Sequence, residues 1–167
     1  MAKELKTNVM RILDRAKVDY QFYTYEPGDK VDGITVAHKM GQPVERVYKT
    51  LVTRGKSGGF FVFVIPVAAG LDLKKAAKAV GEKSVEMIHV KEINKITGYI
   101  RGGCSPIGMK KAFPTVVSQT AEQLPTIIVS GGRIGTQVEL NPQTLVELIR
   151  GKFAEIESAE PVGEEEY

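Results

Sequence analysis

One cysteine, Cys104, two histidines and no tryptophan occur among 167 residues. A single cysteine forms no internal disulfide, so the expected setting is a reducing cytoplasm. His38 and His89 are distant in sequence and, with one cysteine, make no Cys/His metal cluster. No metal and no cofactor are expected. Long apolar runs are missing too. The longest, FFVFVIPVAAG, is interrupted by Pro66 and falls short of a membrane span. The opening MAKELKTNVMRILDR mixes both charge signs and has no apolar core of a signal peptide. There are no repeats and no internal linker. The length suits one domain with a real core, expected over residues 1–153, followed by an acidic, disordered tail at 154–167.

Acid is scarce in the body of the chain and concentrated at its end. Residues 151–167 carry six acids and one base, a charge of −5, which leaves +8 on the preceding 150. A basic body suits a polyanionic partner, and it equally suits a solvated lysine-rich surface.

What is present reads as alternating short elements. TNVMRILDRAKV has apolar residues at helical spacing behind a Thr7 cap. YQFYTYEPG reads as a strand and turn. DGITVAHKMG reads as a short helix capped by Thr35 and closed by Gly41. ERVYKTLVTRGKSGGFFVFVIPV is the clearest hairpin, and its nearly continuous second run belongs in the middle of a sheet. DLKKAAKAVG is a helix between Asp72 and Gly81, VEMIHV a strand and KEINKITG a short helix. TIIVS and TQVEL face each other across GGRIG. NPQTLVELIRGKF closes the domain as a helix capped by Asn141. The fold class expected is α+β, with a mixed, curved, barrel-like β-sheet flanked by helices.

Three places carry candidate chemistry. RGGCSPIGMKK (101–111) places Gly103 and Gly108 at Walker spacing, but Met109 occupies the lysine slot and Pro114 follows, so it is no nucleotide loop. Cys104 has no base beside it in sequence, and Ser105 is followed by Pro106 rather than the turn of a nucleophile elbow. Gly102 and Gly103 instead let backbone approach a ligand and offer N–H groups to an oxyanion. VSGGRIG has the same character, with Ser130, Gly131 and Arg133. The bland alternative for both is a tight turn. Lys49, in RVYKTLV, shares one strand face with Val47 and Leu51. If that face is buried, the amine needs an anionic or carbonyl partner; if it is exposed, the amine is merely solvated.

Together VYKTLV (47–52), LDLKKAAKAVG (71–81), VEMI (85–88), TGYIRGGCSPIGMKK (97–111), VSGGRIG (129–135) and TYEP (24–27) resemble the YbaK/prolyl-tRNA-synthetase-associated deacylase family, close to its Cys-tRNA(Pro)/Cys-tRNA(Cys) branch. The resemblance runs to about residue 153. It implies a cytoplasmic trans-editing aminoacyl-tRNA deacylase that frees cysteine from Cys-tRNA(Pro), with the substrate's own thiol attacking its ester. Alternatives are a deacylase for another small amino acid, or a non-catalytic module binding a tRNA 3′ end or a synthetase. The resemblance assigns Lys49 the catalytic position and Tyr25, Thr50, Gly103, Ser105, Ser130 and Gly131 the substrate-binding ones, to which the loop reading adds Gly102 and Arg133. It implies aminoacyl-tRNA and prolyl-tRNA synthetase as partners, with Lys74, Lys75, Lys78, Lys110 and Lys111 available to phosphates. This chain departs at Gln137, where many relatives carry Asp, and at VDGI, where they tend to have an aromatic.

Overall fold

The computed structural model describes residues 6–28 and 32–159. Helix α1 (Asn8–Arg15) begins at Thr7, whose Oγ1 accepts from Met10 N at 3.2 Å. Strand β1 is Gln21–Thr24, and helix α2 is Gly33–Met40. Asp32, not Thr35, caps α2: its carboxylate accepts from Thr35 N at 3.0 Å and ties down the Thr35 hydroxyl as well. A carboxylate three residues back is the better acceptor for the first turn. Gly41 ends α2 in the left-handed region, as expected.

The hairpin follows as β2 (Tyr48–Gly55) and β3 (Phe60–Pro66), in antiparallel register from Tyr48 opposite Pro66 to Arg54 opposite Phe60. Then come β4 (Gly70–Leu71), α3 (Leu73–Val80), β5 (Val85–Met87) and α4 (Ile93–Thr97). The loop 98–114 leads to β6 (Thr115–Ser118). Strands β7 (Ile127–Arg133) and β8 (Thr136–Leu140), helix α5 (Pro142–Ile149), β9 (Lys152–Ala154) and β10 (Glu157–Ser158) complete the chain.

The sheet is mixed. Five strands lie in the order β5-β2-β3-β6-β9, with β6 parallel to both β3 and β9. The apolar β3 is central, as its sequence implies. A three-stranded antiparallel sheet, β1-β8-β7, meets the first through a parallel bridge between Val47 and Ile128. Val64 and Val117 of the larger sheet, Val129 and Val138 of the smaller, and Leu13 and Leu145 of α1 and α5 share one apolar core.

The chain remains ordered past residue 153. The boundary expected there falls inside β9, Ile156 is fully buried, and β10 pairs with β4. The remainder of the expected tail, 160–167, lies outside the described residues. Among the described residues, no helix is long and apolar enough to cross a membrane.

Candidate functional site

Where β2 begins beside the smaller sheet, both of its faces are covered. Residues 48–53 are all buried, so Lys49 takes the inward placement with only 8 % of its surface exposed. Alternation along TQVEL sends Val138 and Leu140 into the core and turns Gln137 the other way, toward α2. Gln137 lies opposite Ser130 on one side and Tyr23 on the other. Helix α2 closes over this face through Val36 and Gly33. Gly33 is there of necessity, because a Cβ on it would lie 2.1 Å from a Val67 methyl.

The result is a narrow pocket of about 40 Å³. Its polar wall is Lys49, Thr50, Ser130 and Gln137; Gly102 and Cys104 approach from the loop. Among the described residues, two buried side-chain atoms have no hydrogen-bond partner, Thr50 Oγ1 and Gln137 Oε1. Both residues line this pocket. An orphaned buried polar group costs about 1–3 kcal/mol, so this place carries that cost twice.

Of the residues singled out in the sequence, the structure brings Lys49, Thr50, Gly102 and Ser130 together in the lining. The others stand around it. Ser105 Oγ accepts from Ile107 N at 3.2 Å, and Ser130 Oγ accepts from Gly132 N at 3.1 Å, the same serine turn in each glycine loop. Gly103 fits the two loops together, since a Cβ there would lie 3.1 Å from Ile134 N and 3.2 Å from Arg133 Cα. Gly131 packs as closely on Thr136. Tyr25 is fastened by its backbone, its N–H donating to Gly135 O at 3.0 Å, and Arg133 is exposed. Tyr99 braces the assembly: its hydroxyl donates to Ile107 O, and its ring lies against Gly132.

Gln137 and Gly33, which the sequence marks only as departures from the resemblance, are both pocket residues. The period-2 alternation of TQVEL is consistent with this placement of Gln137. Cys104 packs in the apolar core of the larger sheet. It is 3 % exposed, and burial pushes its thiol up to about 12, a smaller opposing effect coming from a hydrogen bond with Thr97. It stays protonated near neutrality and is no ready nucleophile. No group of three or more His, Cys, Asp or Glu among the described residues could hold a metal.

Fold and pocket define a class: a mixed α+β domain that presents a small polar cavity walled by glycine loops. The family model of the aminoacyl-tRNA editing domain matches residues 30–148, and the chain belongs to that family. It is 49% identical over 156 residues to an Enterococcus faecalis protein that carries the provisional name Cys-tRNA(Pro)/Cys-tRNA(Cys) deacylase EbsC, covering 93% of this chain and 95% of that one. An uncharacterized Bacillus subtilis protein, YwhH, is 26% identical over 111 residues, covering 66% of this chain and 70% of the relative. Among solved structures, the hypothetical protein APE2540 superposes with a TM-score of 0.83 at 21% identity, over 91% of this chain and 100% of the other. A protein described provisionally as a trans-editing enzyme for prolyl tRNA synthetase gives 0.76 at 21%, over 91% and 98%. At such identities these two establish the fold.

Proposed function

We propose that the chain is a trans-editing deacylase that releases cysteine from Cys-tRNA(Pro), and that the substrate's thiol breaks its own ester. The observation that carries this reading is the pocket: a buried lysine and two residues with orphaned polar atoms line a narrow space of about 40 Å³. It holds roughly three ordered waters' worth of volume, which suits a side chain of two or three heavy atoms. The name of the Enterococcus faecalis relative supports the same substrate.

In this mechanism the cysteine sulfur attacks the ester carbonyl carbon. The S–C bond forms, the bond to the ribose oxygen breaks, and the thiol proton ends on that oxygen. Water then opens the cyclic thioester to free cysteine. The protein supplies position and charge rather than a nucleophile. Lys49 stabilises negative charge gathering on the ester oxygens. Gln137 Oε1 accepts from the substrate amino group, Thr50 Oγ1 hydrogen-bonds the aminoacyl ribose, and Gly102 and Ser130 close the wall. Gly103, Ser105 and Gly131 hold that wall, and Tyr25 and Arg133 flank its entrance toward the terminal adenosine. A complex with prolyl-tRNA synthetase would deliver the mischarged tRNA.

Deacylation of tRNA(Pro) charged with cysteine or serine tests the reading. Release of cysteine should be much faster, and Lys49→Ala should lower kcat/KM about 100-fold or more. Equal rates for the two amino acids would rule out thiol assistance. Full activity in Lys49→Ala would remove the lysine from the mechanism.

A further inference from the structure

The same two elements that build the pocket also build a second, different surface. Thr50, Val52 and Arg54 share one face of β2, and their partners Val64, Val62 and Phe60 continue it on β3. Loop 98–114 runs along this face. It reaches the pocket with Gly102 and Cys104, and reaches the far end of the hairpin with Lys110, Lys111 and Phe113. There a groove of about 340 Å³ opens. Its floor is Phe60 and Phe113, packed edge to face with ring centroids 5.8 Å apart. Its rim carries Arg54, Lys95, Lys110 and Lys111.

One acid, Glu92, lines this groove, and Arg54 engages it at 2.8 Å while its guanidinium lies 5.1 Å from the centre of the Phe60 ring. The three lysines are exposed. Lys110 is placed by donating to the Lys95 carbonyl at 3.1 Å, which brings the two side chains to one rim. By contrast Lys75, on α3, is bridged to Glu155 at 3.0 Å. Positive charge beside half-buried aromatic rings is the combination that tracks a nucleic-acid backbone and stacks its bases.

We propose that this groove binds the acceptor strand of the RNA whose 3′ end enters the Lys49 pocket. The inference rests on the deacylase reading for the identity of the RNA. Thr50 of the pocket and Arg54 of the groove lie on the same face of β2, four steps apart, about 13 Å at about 3.3 Å each. That distance matches about four stacked nucleotides. The groove therefore meets the acceptor strand where its single-stranded end joins the stem, and the pocket and groove together measure the length of that end. Phosphate contacts of this kind give affinity and register, not sequence choice.

The test compares the parent protein with the triple variant Lys95→Ala/Lys110→Ala/Lys111→Ala on two substrates, Cys-tRNA(Pro) and 3′-cysteinyl-adenosine, and on binding of uncharged tRNA across a salt series. We expect the triple variant to bind tRNA at least about tenfold more weakly, with a log–log salt slope shallower by about two. Its KM for Cys-tRNA(Pro) should rise with kcat unchanged, and its action on 3′-cysteinyl-adenosine should match the parent. Unchanged tRNA affinity and slope overturn the groove and leave the deacylase reading standing. An equal loss on 3′-cysteinyl-adenosine also overturns it, because the damage then lies in the pocket. Loss of binding to prolyl-tRNA synthetase with tRNA binding intact makes the groove a protein surface and overturns the RNA assignment. If the parent protein cleaves neither substrate but the triple variant still loses tRNA binding and slope, the groove stands and the deacylase reading falls.

Discussion

Thr50 is the residue at which folding and function pull apart most cleanly. Its hydroxyl is buried without a partner, so the native state carries a desolvation cost that nothing in the described residues offsets. Thr50→Val keeps the shape and removes the cost. The variant should be more stable by about 1 kcal/mol in a urea titration, and should lose about tenfold or more in kcat/KM. A purely structural hydroxyl would not trade the two quantities in this way. Gln137 has the same signature in its amide oxygen. Neither orphan is visible in the sequence, because being unpartnered depends on what other strands and helices place nearby. Lys49 was half legible: alternation set its face, and only the arrival of the smaller sheet and α2 decided that this face is interior.

Between elements, the decisive contact is α2 on the strand ends. Gly33 touches Val67 so closely that any side chain must move the helix or the strand. Gly33→Ala should cost about 1–3 kcal/mol of stability and lower activity by displacing the pocket's cover. Adding Val67→Ala should restore much of both, as read by thermal melts and deacylation rates in parallel. Most elements were legible from local signals. Thr7, Asp72 and Asn141 cap helices as their types dictate, Gly81 ends α3, and the hairpin pairs in the expected order. The cap of α2 was misplaced because Asp32 and Thr35 are both capping types three residues apart, and sequence does not say which precedes the first turn. The glycine loops were recognised as walls, but which glycines face the cavity and which lock the loops together depends on Arg133 and Thr136, brought in from the facing turn and strand.

For the molecule as a whole, the loss of a proton from the interior sets an alkaline limit. Burial holds the Cys104 thiol protonated, raising it from 9.0 to about 12. The folded state therefore binds this proton more tightly than the unfolded chain does. The resulting stability is complete below pH 9.0 and is lost as pH climbs toward 12. Tyr20 and Tyr99, also raised to about 12, reinforce the trend from their ordinary value of 10.0 upward. Urea midpoints measured from pH 8 to 11 should fall steeply, and Cys104→Ala should flatten the fall while leaving deacylation largely intact. A pH profile unchanged by the substitution would place the limit elsewhere.

The last described strands also bear on how the chain reaches its shape. Ile156 fills a fully buried place between β9 and β10, β10 zips onto β4, and Glu157 is held by Ser118 and Thr120. A nascent chain still tethered near residue 150 has its hairpin but lacks the plug that seals the larger sheet. Without residues 152–158, β6 lacks its β9 partner and the larger sheet keeps an open edge on which another chain could pair.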